Sequence, residues 1–427
     1  MRPSTTPITM LCTVGGSHAP IVRAIRDSRP DFVWFICTDG PHGSITQIRG
    51  PGNCIKAHPR DEKPTLPNIP TQVGLREDQY DVLTVPPDDP DEIHVRIRAL
   101  IENILSTEPR PRIIADYTGG TKSMTAALLL AGLEYDEDVE LSIVVGQRAD
   151  LVQVKDGTET RLPANVDRIR FRHKFRVAMA PWQHYGYAEA AIALKSMLAP
   201  RDAGDRQVYL DALAASRAFA AWDRFDHHRA HDLLQPLGRT FGSYLAMLSR
   251  LNSESEVQTP ARLLDLSLNM QRRAARGQYD DAVARAYRLL EWTAQWLLSR
   301  DAGIDTSNVP SDRIPAGIEL PQNDKGHHTA GLRNAWALLE TLGGTDTVRT
   351  FARERTKEML NLLAIRNHSI LAHGFQPITQ TQWSAWQTWL DDTFLPFLQA
   401  QARTSGIKKP PSQLPTEFTV SLDTKTE

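Results

Sequence analysis

Apolar residues in the first 160 positions fall into short runs closed by turn residues. Ile8–Val14 ends at Gly15-Gly16-Ser17, and Phe32–Thr38 (FVWFICT) ends at Asp39-Gly40. Tyr80–Val85 ends at Pro86-Pro87, Arg112–Tyr117 runs into Gly119-Gly120, and Val139–Val145 is a fifth run. Between them Ala19–Arg26, Ile93–Leu105 and Met124–Leu133 carry helical spacing. Strands alternating with helices predict an α/β domain whose parallel sheet is covered on both faces. Residues 41–73 show no clear period; the stretch is long for a loop and leaves room for a short hairpin or helix. Arg168–Met179 reads as a strand or extended connector, Trp182–Met197 as a helix and Ala199–Asp205 as a linker.

From residue 206 onward the period changes. Apolar positions recur three and four apart in Tyr209–Arg224, His228–Leu234, Gly242–Leu251, Pro260–Arg276, Tyr279–Arg300, Leu332–Leu342, Thr347–Arg366 and Thr381–Ala402. The expected organisation is an α/β domain over 1–180, a connector over 181–205, an all-helical domain over 206–403 and a loose polar tail over 404–427.

Charge changes this picture little. Lys+Arg is 49 and Asp+Glu is 51 in 427 residues, a net charge of -2, so any nucleic-acid site must be a local patch and not a basic coat. The three Cys (Cys12, Cys37, Cys54) have no metal-ligand spacing and suit a reducing compartment. The longest apolar run, Ala126–Leu133, is far short of the ~20 residues that span a bilayer, and no signal peptide is evident. A cytoplasmic location without membrane association is expected.

Two places carry chemistry. In an open α/β sheet, ligands bind beyond the carboxyl ends of the strands. The turns Thr13-Val14-Gly15-Gly16-Ser17 and Asp116-Tyr117-Thr118-Gly119-Gly120-Thr121-Lys122-Ser123 both fall there and both lead into helices. Glycine admits close approach to the backbone, helix N-termini offer N–H groups, and Lys122 adds charge, which suits a phosphate-bearing ligand. A Walker A loop is excluded, because Asp116 and Thr121 stand where its glycines are required. Gln147 and Arg148 end the last strong strand and are candidates for the same rim.

The second place is Arg366-Asn367-His368-Ser369-Ile370-Leu371-Ala372-His373-Gly374. If the helix continues to His373, Arg366 and His373 share a stripe two turns apart. Histidine moves protons near neutral pH, and arginine holds a phosphoryl group and its developing charge. That pair suits RNA cleavage by its own 2′-hydroxyl, with no metal. Arg-x(4–6)-His also occurs at Arg168…His173 and Arg224…His231, so spacing alone is weak. His227 and His231 have a zinc-compatible spacing, but no third ligand follows, and no metal site is expected.

The Gly turns at 13–17 and 116–124, the helix Gly277–Glu291, and Arg366-Asn367 with His373 occur in that order. Together they resemble the CARF–HEPN ribonucleases that accompany type III CRISPR systems. The resemblance implies a Rossmann-like CARF domain that binds cyclic oligoadenylate across a homodimer. Its ligand contacts would come from Thr13, Gly15, Gly16, Ser17, Thr118, Gly119, Gly120, Thr121, Lys122 and Ser123. It also implies an all-α HEPN domain in which Arg366, Asn367 and His373 of two subunits form one site that cuts single-stranded RNA. No cofactor is implied beyond the activator. Two other readings compete: a nucleotide-sensing regulator whose helices bind DNA or protein without catalysis, and a HEPN-like toxin nuclease with an unrelated trigger.

Overall fold

The computed structural model describes residues 6–40, 43–49, 67–135, 138–146 and 160–419. Cys54, Gln147 and Arg148, and most of the 41–73 loop, lie outside them. The chain divides into two compact units, Met1–His173 and Lys174–Glu427.

In the first unit the strands are β1 (Ile8–Thr13), β2 (Phe32–Thr38), β3 (Tyr80–Val85), β4 (Arg112–Asp116), β5 (Val139–Val145) and β6 (Thr160–Pro163). They form one sheet in the order β3-β2-β1-β4-β5-β6. β1 to β5 are parallel, and β6 pairs antiparallel with β5. Successive side chains of a strand point to opposite faces. Leu11, Ile36, Ile113 and Ala115 therefore pack on one side, under α3 (Pro90–Leu105) and α4 (Lys122–Leu133). Met10, Cys12, Val33, Phe35 and Cys37 pack on the other, with α1 (Ala19–Ser28) and α2 (Ile69–Val73). The expected two-faced α/β sheet is present, and β6 is an added edge strand.

Strand order places the ligand rim. The chain runs outward from β1 through β2 to β3, then returns to β4 on the far side of β1. The order thus reverses between β1 and β4, the switch point where the carboxyl ends of strands leave a crevice. Both glycine turns stand there.

Residues 168–179 are helix, not strand: α5 (Asp167–Met179) buries Phe171, Phe175 and Ala178 at helical spacing. The second unit continues with α6 (Tyr187–Ser196), α7 (Ala203–Asp223), α8 (His227–Leu234), α9 (Gly238–Leu251), α10 (Gln258–Ala275) and α11 (Tyr279–Ala302). It closes with α12 (Leu332–Leu342), α13 (Asp346–Asn367), α14 (Gln380–Trp389), a π-helical turn (Leu390–Phe394) and α15 (Leu395–Thr404). One core unites these helices around Trp222, Trp336 and Trp386. Trp182, Tyr187 and Ala190 of the expected connector belong to that core. No helix among the described residues is long and apolar enough to cross a membrane.

The expected loose tail is instead strapped down as far as Phe418. Ile407 and Leu414 are buried, and Tyr187 Oη donates to the Pro415 carbonyl at 2.8 Å. Phe418 meets Trp182 edge-on, with ring centroids 5.6 Å apart. Gln413 Oε1 accepts from Arg272 Nη1 at 2.7 Å, and Arg272 is fully buried. Arg272 Nε and Arg273 Nη2 also donate to the Asp223 carboxylate at 2.8 and 2.6 Å. Polar spacing hid this segment, because its anchors are a few apolar residues among prolines.

Candidate functional sites: a glycine crevice and an Arg–His loop

At the switch point the two turns touch through backbone. A Cβ built on Gly15 would lie 2.6 Å from the Gly120 nitrogen, and one on Gly119 would lie 2.4 Å from the Thr13 carbonyl oxygen. Gly120 also sits at φ +89, the left-handed region that suits glycine. Thr13 Oγ1 donates to the Gly119 carbonyl at 2.6 Å, and Thr125 Oγ1 donates to the same oxygen at 2.9 Å. Gln47, on the turn after β2, donates from Nε2 to the Gly15 carbonyl.

The candidate ligand residues divide by what their side chains already do. Thr13 is buried and spent on Gly119. Thr118 Oγ1 accepts from Val144 N at 2.8 Å. Thr121 caps α4 by accepting from Met124 N at 3.2 Å, and donates to the Pro87 carbonyl at 2.7 Å. These threonines hold the turns in shape. Gly16, Ser17 and Lys122 are exposed, and Ser123 is half-buried in the first turn of α4. Behind them Asp116 is buried and accepts from Ser142 Oγ at 2.7 Å and from Thr118 N at 3.2 Å. Burial pushes its carboxyl above the usual range, and those hydrogen bonds pull it part of the way back. It shapes the rim from below.

In the helical unit α13 stops at Asn367, six residues short of His373, so Arg366 and His373 do not share a helical stripe. The chain turns back on itself instead. Ser369 N donates to the Arg366 carbonyl at 2.9 Å, His373 N to Asn367 O at 3.3 Å and Gln376 N to His368 O at 3.3 Å. Gly374 permits the fold-back: a Cβ there would lie 2.0 Å from the His368 carbonyl oxygen. The loop still brings the backbone of His373 onto Asn367, next to Arg366. The apolar run Ile370-Leu371-Ala372 looked like one more helical turn, but Ile370 (62% exposed) and Leu371 (48%) stand at the surface. Phe375 is 98% exposed beside them.

Neighbours of this loop that spacing did not single out lie on α11. Ile378 N donates to Asp280 Oδ2 at 3.1 Å. The Arg366 guanidinium lies over the Tyr287 ring, with Cζ 4.4 Å from the centroid. Asp280 and Tyr287 are seven apart on one helix and so share a face. That pairing was readable, but nothing in the sequence tied it to residue 366. His368 Nδ1 contacts the Ala364 carbonyl at 2.8 Å, a bond within its own helix end.

The other Arg/His spacings lead elsewhere. His227 is buried against Asp265, with Nε2 3.0 Å from Oδ2, while Trp222 Nε1 donates to the other carboxylate oxygen at 2.9 Å. His231 lies partly exposed beside Asp232. The i,i+4 histidines are thus engaged with different carboxylates.

Comparison with known proteins locates this arrangement. Residues 252–393 match the family model described as the Csm6 HEPN domain, a span that contains α10 to α14 and the whole Arg366–His373 loop. The resemblance to CARF–HEPN ribonucleases is borne out. Among solved structures, Enterococcus italicus Csm6 bound to cyclic hexa-2′-fluoro-hexa-dAMP has the same fold, with a TM-score of 0.54 and 13% identity. The match covers 94% of this chain and 99% of that one, so the likeness extends from the α/β unit through the HEPN helices. Can2 from Sulfobacillus thermosulfidooxidans in complex with cyclic tetra-adenylate aligns over 55% of this chain and 68% of its own, at 14% identity and a TM-score of 0.24, too low to bear on the fold. No curated protein sequence matches the chain.

Proposed function

We propose that the chain is a cyclic oligoadenylate-activated endoribonuclease of type III CRISPR defence, cutting single-stranded RNA without a metal ion and acting as a cytoplasmic homodimer. The observation that carries this reading is the fold-back after α13, inside the HEPN-matched segment, in which the His373 backbone meets the carbonyl of Asn367, the residue after Arg366. In the proposed reaction the imidazole of His373 takes the proton of a ribose 2′-hydroxyl. The 2′-oxygen attacks the adjacent phosphorus, and the bond to the 5′-oxygen breaks. The imidazolium so formed gives the proton to that leaving oxygen, and the products are a 2′,3′-cyclic phosphate and a 5′-hydroxyl. Arg366 donates to the non-bridging oxygens as charge builds on them, and Asn367 orients the phosphate.

Two further features support the wider reading. Ile370, Leu371 and Phe375 form an exposed apolar collar around the loop, a surface suited to burial against a second copy of the same loop. The glycine crevice at the switch point, with Lys122 and the start of α4, suits a phosphate-rich ligand, and the Csm6 of the same fold was solved with a cyclic oligonucleotide. Ligand binding there would favour the dimer arrangement in which the HEPN site is competent.

The test is a fluorophore-quencher RNA in EDTA, with cyclic tetra- and hexa-adenylate added separately. Cleavage with one ring, abolished by His373→Ala with activator binding intact, is the expected result. Silence of a folded dimer with both rings, or wild-type cleavage by His373→Ala, overturns the proposal.

A further inference from the structure

The way Arg366 is held assigns a role to a residue on a different helix. A guanidinium carries its five N–H donors in one plane. A carboxylate partner meets that plane edge-on and consumes two donors; an aromatic ring meets its face and consumes none. Among the described residues Arg366 has no carboxylate within ion-pair distance, and its Nε is buried without a hydrogen-bond partner. What it has is Tyr287, with Cζ 4.4 Å from the ring centroid, inside the ~6 Å range of a cation–π contact.

We infer that Tyr287 is a positioning residue for Arg366: its ring face fixes the guanidinium while leaving the terminal Nη donors for the scissile phosphate. The inference rests on the ribonuclease reading above. It goes further in making α11 the frame of the site. Tyr287 holds the start of the 366–378 segment through Arg366, and Asp280, two turns earlier, holds its end through Ile378 N. The nearest acid on that helix, Glu291, is taken by Arg288 at 2.8 Å. Burial pushes the Tyr287 phenol up from its usual range and Glu291 adds to this, while the Arg366 and Arg288 guanidiniums pull it partly back.

The experiment compares Tyr287→Phe, Tyr287→Trp and Tyr287→Leu with Arg366→Ala in the activated, full-length protein, measuring kcat, KM, thermal midpoint and activator binding. A ring of pentafluorophenylalanine at 287, which keeps the shape but reverses the quadrupole, covers the case in which Tyr287→Leu does not fold. The expected result is that Phe and Trp retain activity, while Leu and the fluorinated ring lose roughly 10- to 100-fold in kcat with thermal midpoint and activator affinity unchanged. Adding Tyr287→Leu to Arg366→Ala should cost nothing further. Wild-type kcat in both the Leu and fluorinated variants, beside an inactive Arg366→Ala, overturns the inference. Tyr287→Phe as impaired as Tyr287→Leu overturns it too, by pointing to the hydroxyl. Wild-type cleavage by Arg366→Ala itself would instead remove the ribonuclease site on which the inference rests.

Discussion

Replacing Gly374 by alanine tests whether the fold-back after α13 is what makes the site. A Cβ at 374 would lie 2.0 Å from the His368 carbonyl oxygen and 2.4 Å from its carbon, where real Cβ atoms keep beyond 3.0 Å. The contact is backbone on backbone, so no side chain can swing aside, and the loop must open by about 1 Å. The bonds at risk are the long ones that close it, His373 N to Asn367 O and Gln376 N to His368 O, both 3.3 Å. A displacement of ~1 Å at a reacting group costs on the order of 100-fold, or about 2.7 kcal/mol of barrier. Ile370, Leu371 and Phe375 of the loop are exposed and outside the core of the subunit, so the stability of the subunit should change by no more than ~1–2 kcal/mol. The assay is single-turnover cleavage of the quenched RNA at saturating activator, with thermal melts and activator titration on the same preparation. Gly242→Ala, with open space around its Cβ, is the control. Cleavage by Gly374→Ala within threefold of the control would refute the claim that the tight turn sets the catalytic geometry.

Gly119→Ala should part the two turns of the crevice, since its Cβ would lie 2.4 Å from the Thr13 carbonyl. Calorimetry should show activator affinity reduced by roughly tenfold or more, about 1.4 kcal/mol, with the HEPN helices still folded by circular dichroism. Truncation after Thr404 removes the buried Ile407 and Leu414 and the Gln413 partner of Arg272. At ~1.5–3 kcal/mol per buried aliphatic side chain, with a further ~1–3 for the stranded donor, the melting midpoint should fall by at least about 10 °C.

Much of this molecule can be read from periodicity, and its failures have physical causes. FVWFICT reads as a strand from its β-branched and aromatic residues and the Asp39-Gly40 that closes it, and the glycine turns read as strand ends. Thr160–Pro163 escaped notice because a four-residue polar edge strand has no apolar run to show. The helix over 167–179 was obscured by basic residues set among Phe171, Phe175 and Ala178, which blur a period of 3.6 into one nearer two. The Arg–His pair is legible in the sequence as a motif, but its geometry is not the helical stripe that spacing predicts. Ile370-Leu371-Ala372 mimics a helical turn, and only the pinch at Gly374 shows that the chain doubles back. The helix Gly277–Glu291 stands out in the sequence, but the contact of its Tyr287 with Arg366 does not, because a ring face 79 positions away from the arginine it touches leaves no local signature.

The glycine-on-glycine contact at the switch point also limits how this crevice can be redesigned. Positions 15, 119 and 120 are committed to one another at backbone distance, so neither turn can be remodelled without the other. The freedom lies at Gly16, which has no atom within 4 Å of its virtual Cβ, and at the exposed Ser17 and Lys122. A library confined to those three sites would vary what the rim presents while leaving its skeleton untouched.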